Sequence, residues 1–219
     1  HKIISQLYGA AVTNNASSLT VIIQPSDVTN QQGLELTGCV VTSFAISADS
    51  GTEGGRYKWS ATIQSGYLPD LDNSAAAGST AYANTTTTSL SAASAVKVYN
   101  TDAVLSSFTT TIDYPAVFTG ITSTGYEVVS RGAECSVTHD CQVKYDGATK
   151  GLVSSFDTQT AAMAENSFII VNNGNFGIDT ANAVLTNVAY SEGDIMMLDV
   201  SFKAVDDGTD ELLIVDISD

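Results

Sequence analysis

Cys135-Ser136-Val137-Thr138-His139-Asp140-Cys141-Gln142-Val143-Lys144-Tyr145 alternates without a break. One side reads Cys135, Val137, His139, Cys141, Val143, Tyr145, and the other Ser136, Thr138, Asp140, Gln142, Lys144. A period of two is the signature of a half-buried strand, with one face packed and one in water. Working outward, Ile195–Ala204 repeats the pattern, with Met196, Leu198, Val200, Phe202 and Ala204 against Met197, Asp199, Ser201 and Lys203. Val40, Thr42, Phe44 and Ile46 share a third face. After the turn-forming Asp49-Ser50-Gly51-Thr52-Glu53-Gly54-Gly55, the residues Tyr57, Trp59, Ala61 and Ile63 line a fourth. These last two stretches predict a hairpin. Shorter strands are expected near Leu19–Ile23, Phe108–Ile112, Phe168–Val171, Val184–Val188 and Leu212–Ile217.

One segment departs from the rule. In Thr149–Asn166, Leu152, Phe156, Thr160 and Met163 recur at helical spacing, with Ala161, Ala162 and Ala164 supporting a one-sided helix by propensity. The expected fold is therefore mainly β, a β-sandwich or β-barrel, with one α-helix over 149–166.

Charge narrows the function classes. The chain carries 24 acidic against 8 basic side chains, a formal net charge of -16. Ordinary nucleic-acid binding draws its affinity from cations that displace counterions, so a surface this acidic argues against a DNA-binding protein. No apolar run reaches the roughly 18 residues of a membrane span, and no membrane partner is expected. Cys135 and Cys141 lie on one expected strand, which sets them about 20 Å apart. A disulfide needs α-carbons within about 7 Å. Those two cannot pair, and any bridge from Cys39 leaves an odd thiol, so free cysteines of a reducing compartment are expected.

The search for chemistry returns little. A metal site from Cys135, His139 and Cys141 fails on geometry, because same-face neighbours on one strand stand about 7 Å apart. Zinc requires ligands converging to roughly 2.0–2.3 Å. His139 is read instead as a core or interface histidine. Neither a Gly-x-Ser-x-Gly elbow nor a phosphate-binding Gly-rich loop ending in Lys-Ser/Thr occurs. Asp70/Asp72 and Asp206/Asp207 read as solvated turns. Asp206, Asp207, Asp210 and Glu211 lack the order of a twelve-residue calcium loop. No catalytic residue, cofactor or metal is expected.

Between Asn73 and Val96 no residue is charged, and Ser, Thr, Ala and Asn dominate. Composition alone allows a flexible linker. The β-competent run Asn84-Thr85-Thr86-Thr87-Thr88 equally allows an extended arm that orders on a neighbour.

Read together, several segments resemble the tail tube (major tail) proteins of long-tailed phages. They are Gly38–Ser47 with Gly55–Thr62, then Ile112-Asp113-Tyr114-Pro115-Ala116-Val117-Phe118-Thr119-Gly120, the long strand after Arg131, and Tyr190–Asp194 running into Leu198–Ala204. The helix interrupting the strand order is another shared trait. The resemblance implies a single β domain over 1–219, with 66–96 as an extended arm or loop and 206–219 as the C-terminal strand. It implies self-association into rings, typically hexamers, stacked as a tube that conducts DNA during ejection, with other tail proteins at the tube ends. The protein would reside in the virion tail, assembled in the host bacterial cytoplasm. Candidate lumen-lining residues are Asp140 and Asp199, whose charge would let DNA pass without sticking. Candidate inter-ring arm residues are Asn73, Tyr82, Asn84, Thr86 and Thr88. Two other roles suit the same composition. One is a different β-rich virion component, such as a capsid decoration or spike protein. The other is a secreted glycan-binding β-sandwich with Tyr57 and Trp59 as a sugar platform, although both fit a core stripe better.

Overall fold

The computed structural model describes residues 19–23, 33–66, 70–72, 89–90, 93, 95–118, 129–130, 134–158, 168–172, 176–206, 208 and 212–217. Along the chain these form β1 (Leu19–Ile23), β2 (Gly33–Asp49), β3 (Lys58–Ser65), β4 (Asp70–Asp72), β5 (Ala95–Val98), β6 (Thr101–Asp102), β7 (Leu105–Asp113), β8 (Val117–Phe118) and β9 (Val129–Ser130). There follow β10 (Ser136–Lys144), the helix α1 (Lys150–Thr158), β11 (Phe168–Asn172), β12 (Phe176–Thr180), β13 (Ala183–Ser191), β14 (Met197–Ala204) and β15 (Ile214–Ile217). The fold is mainly β with one helix, as the alternation predicted. Among the described residues its sheets stay open rather than closing into a barrel.

The chain divides into two compact units. One comprises 1–44, 61–85 and 113–135, the other 45–60, 86–112 and 136–219. In the first, the leading half of β2 pairs antiparallel with β1 and with β4, on opposite edges. A bulge interrupts the β1 ladder. Leu19 faces Cys39 but Val21 faces Leu36, so Thr37 and Gly38 together oppose Thr20. Gly38 absorbs the extra residue at φ 59, a conformation that costs an L-residue roughly 1–2 kcal/mol. Gly38→Ala is therefore expected to destabilise the protein by about 1–2 kcal/mol, read as a lower urea midpoint at unchanged slope. An unchanged midpoint would show that the bulge does not depend on glycine.

The second unit is a two-layer sandwich. The trailing half of β2, then β7, β10, β14 and β13 lie side by side, and β15-β12-β11-β5-β6 form the other sheet. Val137, His139, Cys141 and Val143 of β10 are buried together with Leu198, Val200, Phe202 and Ala204 of β14. The alternation thus chose the inward face correctly. From the other sheet, Val98, Phe168, Ile170, Phe176 and Ile178 are buried in turn. Rings bring the layers together: Phe168 stands 5.6 Å from Phe108, 5.8 Å from Phe202 and 4.7 Å from His139 between centroids. Interlocking aromatic edges of this kind add about 0.5–1.5 kcal/mol per pair beyond area burial.

Local chemistry sets the connections. Between β5 and β6, Tyr99 and Asn100 both have positive φ, at 48 and 56, the requirement of a two-residue type I′ hairpin turn. Asp146 opens the helix. Its Oδ1 accepts the N–H of Ala148 at 2.9 Å and of Thr149 at 3.1 Å, which holds the carboxyl below its usual range. Thr149 donates its hydroxyl to the Lys144 carbonyl at 2.8 Å, so the end of β10 is tied to the start of α1. Leu152 is buried and Phe156 half-buried. Thr160 and Met163, also expected on this face, lie outside the described residues. In β13, Leu185 faces Phe202 while Asn187 faces Ser201, so Thr186 is an extra residue. The bulge shifts the alternation, and Val188 and Tyr190 then oppose Val200 and Leu198.

One stripe is corrected. Tyr57 packs against Phe176 at 4.4 Å and Phe108 at 6.0 Å, yet Trp59 is 64% exposed. Tyr57 precedes β3, and the first three residues of that strand, Lys58, Trp59 and Ser60, are all exposed. None of the three cysteines is joined in a disulfide, with Cys39 and Cys141 buried and Cys135 half-buried. Among the described residues, no helix is long and apolar enough to cross a membrane.

Candidate assembly surface

The wet face of β10 and β14 is a ladder of polar pairs. Thr138 faces Lys203, Asp140 faces Ser201, Gln142 faces Asp199, and Lys144 faces Met197. Asp140 Oδ1 accepts the Ser201 hydroxyl at 2.6 Å, and Asp199 Oδ1 accepts the Gln142 side-chain amide at 3.1 Å. Asp140 and Asp199 are therefore diagonal neighbours on one face, Asp140 exposed and Asp199 half-buried. Lys144 and Lys203 share that face, so its charge is balanced locally rather than uniformly negative. Asn73, Tyr82, Asn84, Thr86 and Thr88 lie outside the described residues.

His139 belongs to the core. It is fully buried, its Nδ1 2.9 Å from the Thr110 hydroxyl and its Nε2 2.9 Å from that of Thr180. A neutral imidazole fits such a site, donating through one nitrogen and accepting through the other. Burial lowers its pKa to about 3. Both ring nitrogens are engaged, which leaves none for a metal or for proton transfer at a surface. Among the described residues, no group of three His, Cys, Asp or Glu side chains could hold a metal ion. Burial likewise raises Cys141 well above the ordinary thiol range, with Asp140 adding to the shift, and a protonated thiol is a poor nucleophile. Asp206 closes a small turn by accepting the Gly208 N–H at 2.7 Å, as a solvated turn should. Asp70 and Asp72, expected in a turn, instead belong to the short strand β4.

Five of the ten large apolar side chains exposed among the described residues lie on terminal strands of the two larger sheets, whereas Trp59, Val104 and Val117 lie elsewhere. Ile22 and Ile23 lie on β1, Val184 and Tyr190 on β13, and Ile214 on β15, each 40% exposed or more. Each of those strands ends the described strand order of its sheet. Ile195 and Met196, in the connection from β13 to β14, are also exposed. Alternation places these residues on or beside strands but does not identify which strands are terminal.

In the second unit, the trailing half of β2 and the facing part of β7 border a cleft of about 250 Å³. Ser47, Ser107 and Thr109 line it with Arg56 and Lys58. Asp49 is there too, but its carboxylate is committed to the turn, accepting the Gly51 N–H and the Thr52 hydroxyl, each at 2.8 Å. These bonds, with Lys58 nearby, hold the Asp49 carboxyl below its usual range.

No protein-family profile and no curated protein matches the chain. Two of its structural neighbours are components of gene transfer agent particles. One is from the tail of an empty particle of C6 symmetry, 8% identical at a TM-score of 0.34, covering 61% of this chain and 87% of that one. Another is from the virion of a native particle, 9% identical at 0.34, covering 59% and 88%. Likeness this slight carries no property of those particles over to this chain.

Proposed function

We propose that the protein is a structural subunit of a phage tail tube, self-associating into stacked rings, typically hexameric, through which DNA passes during ejection. The observation that carries this reading is the run of exposed apolar side chains on terminal strands. Monomeric β proteins blunt such edges with charge, proline or a covering element, because an open edge templates pairing with another chain. Here Ile22, Ile23, Val184 and Ile214 occupy them, and closed symmetric assembly resolves that exposure. The buried, doubly bonded His139 agrees with a structural, non-catalytic role, since it leaves the core histidine without an accessible proton.

In this reading residues 1–219 act as one tail-tube-like β domain, 66–96 as an extended arm or loop whose ends are held by β4 and β5 and whose Asn73, Tyr82, Asn84, Thr86 and Thr88 contact the next ring, and 206–219 as the C-terminal strand. Assembly takes place in the host bacterial cytoplasm, and other tail proteins cap the tube ends. Negative-stain microscopy of the purified protein should show stacked rings or tubes with a central channel. Discrete small oligomers would favour a decoration or spike protein, and a monomer would sink the tube reading.

The acidity then has a use. Asp140 and Asp199 line the lumen and offset Lys144 and Lys203 on the same face, which helps keep the DNA polyanion from adsorbing to those cations. Reversing both to Lys should slow DNA ejection from assembled particles, and unchanged ejection would remove them from the lumen.

A further inference from the structure

One end of the second unit collects apolar side chains that its core does not use. Four backbone segments meet there: the residue before β7, the end of β10, the start of β14 and the end of β13. The Val104 carbonyl accepts the Lys144 N–H at 2.9 Å, and the Met196 carbonyl accepts the Tyr145 N–H at 3.0 Å. Across the next ladder Ser191 faces Met197 and Tyr190 faces Leu198. Val104, Ile195, Met196 and Tyr190 therefore stand in one row across four neighbouring strands, roughly three strand spacings or about 14 Å. Each is more than half exposed. Tyr145 joins them, half-buried, with its ring edge-on to Tyr190 at 5.5 Å. Apolar side chains scattered singly need no partner, but a contiguous row of this kind marks a contact surface.

The rim of the row is acidic. Glu192-Gly193-Asp194 forms the turn leading into Ile195, all three residues are exposed, and among the described residues no ion pair holds either carboxylate. Local desolvation, the neighbouring Tyr145 and, last, the charge of Asp157 on α1 hold the Tyr190 phenol above its usual range, so Asp157 stands on this side too. Lys144 borders the row as well and leaves the rim negative. A second copy makes a poor mate for it. Row against row would set Glu192 and Asp194 against their own equivalents, and like charges across a contact are costly. The described cations of the chain also stand beside acids already. Arg56 and Lys58 share a lining with Asp49, and Lys97 faces Asp102. Lys144 and Lys203 share a face with Asp140 and Asp199, and Lys150 follows Asp146 by one helical turn. The complementary occupant is therefore a different chain, apolar where it meets the row and basic where it meets the rim.

We propose that the row of Val104, Tyr190, Ile195 and Met196 docks a segment of another protein whose apolar side chains are flanked by lysine or arginine. Apolar burial supplies the affinity, while Glu192 and Asp194 set the orientation and speed the encounter. The inference goes beyond the tube reading. It assigns a partner of a different kind rather than another copy, and it holds for a single subunit as for an assembled ring.

The test is fluorescence anisotropy of labelled synthetic peptides titrated with the full chain. A peptide alternating leucine and lysine should bind at least about tenfold more tightly than one alternating serine and lysine, and a leucine–glutamate peptide should not bind. Ile195→Ser/Met196→Ser should bring the leucine–lysine peptide down to the serine–lysine level. Glu192→Gln/Asp194→Gln should weaken it about tenfold. The same loss of charge at Asp113→Asn/Glu134→Gln, exposed residues of the first unit, should leave it unchanged. Thermal unfolding checks that each variant is folded, and Val104→Ser replaces the Ile195/Met196 pair if that variant fails to fold. Equal binding of the leucine–lysine and serine–lysine peptides, or equal losses from both neutralisations, would reduce the effect to the general negative field and overturn the docking. In mass photometry Ile195→Ser/Met196→Ser should self-associate like the parent. Loss of self-association would make a second copy the occupant and overturn the proposal. A parent that stays monomeric yet binds the leucine–lysine peptide as stated would overturn the tube reading alone.

Discussion

Phe202→Ala should destabilise the protein by about 3–5 kcal/mol, the range for truncating a fully buried phenylalanine. Phe202 is 1% exposed and stands where three rings meet. His139 stacks on it at 4.8 Å, Phe168 approaches edge-on at 5.8 Å, and Tyr99 at 6.4 Å. Removing the ring deletes transfer free energy and opens a cavity that neighbours on separate strands and a turn cannot close together. Phe202→Leu keeps most of the volume and should cost markedly less. Urea unfolding of both variants decides the matter: equal, small losses would show that the ring cluster does not hold the two sheets together.

Acid should weaken the fold through His139. Its pKa is lowered from 6.5 to about 3 by burial, so between those values the unfolded chain binds a proton that the folded chain refuses. Stability rises with pH wherever the unfolded state holds more protons. The His139 contribution is thus fully present above about 6.5 and is lost as pH falls toward 3. One proton corresponds to a slope of about 1.4 kcal/mol per pH unit, and the full window to as much as about 5 kcal/mol. The groups facing the imidazole are the Thr110 and Thr180 hydroxyls and the Phe168 and Phe202 rings, which offer no charge to stabilise an imidazolium. His139→Gln should lower stability at neutral pH and flatten the pH dependence between about 3 and 6.5 by about one proton. The carboxylates titrate in both proteins, so the difference between the two curves isolates the histidine. Parallel curves would mean that His139 is protonated without cost.

The partners of His139 are hard to read from the chain. Thr110 and Thr180 sit 29 and 41 residues away in sequence, and hydroxyls do not advertise a distant acceptor. A signal does exist. Thr110 falls between Phe108 and Ile112 on the inward side of β7, and Thr180 follows Phe176 and Ile178 on the inward side of β12. A threonine inside an apolar stripe must bond something, because an unpaired buried hydroxyl is costly. Tyr57 shows the exception: its hydroxyl is buried without a partner, and burial pushes its pKa to about 12.

What the sequence determined was the position of the longer strands and, for β2, β10 and β14, which face turns inward. Alternation is local, imposed by the two-residue period of the extended backbone, so Val137, His139, Cys141 and Val143 could be placed without knowing what covers them. Helical spacing, equally local, placed the helix from Thr149 onward, while the bonds from Asp146 that open it emerged only in the structure. Strand order needed the tertiary structure. Nothing in Ile22 or Val184 tells which neighbour a strand has, and nothing in the alternation of Tyr57 and Trp59 tells that the start of β3 is exposed. Bulges at Gly38 and Thr186 likewise arise from registers between paired segments. The cleft of Arg56 and Lys58 could not be read from the chain for the same reason. Its walls come from β2, the segment entering β3, and β7, and only pairing across the chain sets these two cations beside Ser107 and Thr109. Acidity was plain in the composition, but where an acidic chain keeps its few cations was decided by the fold.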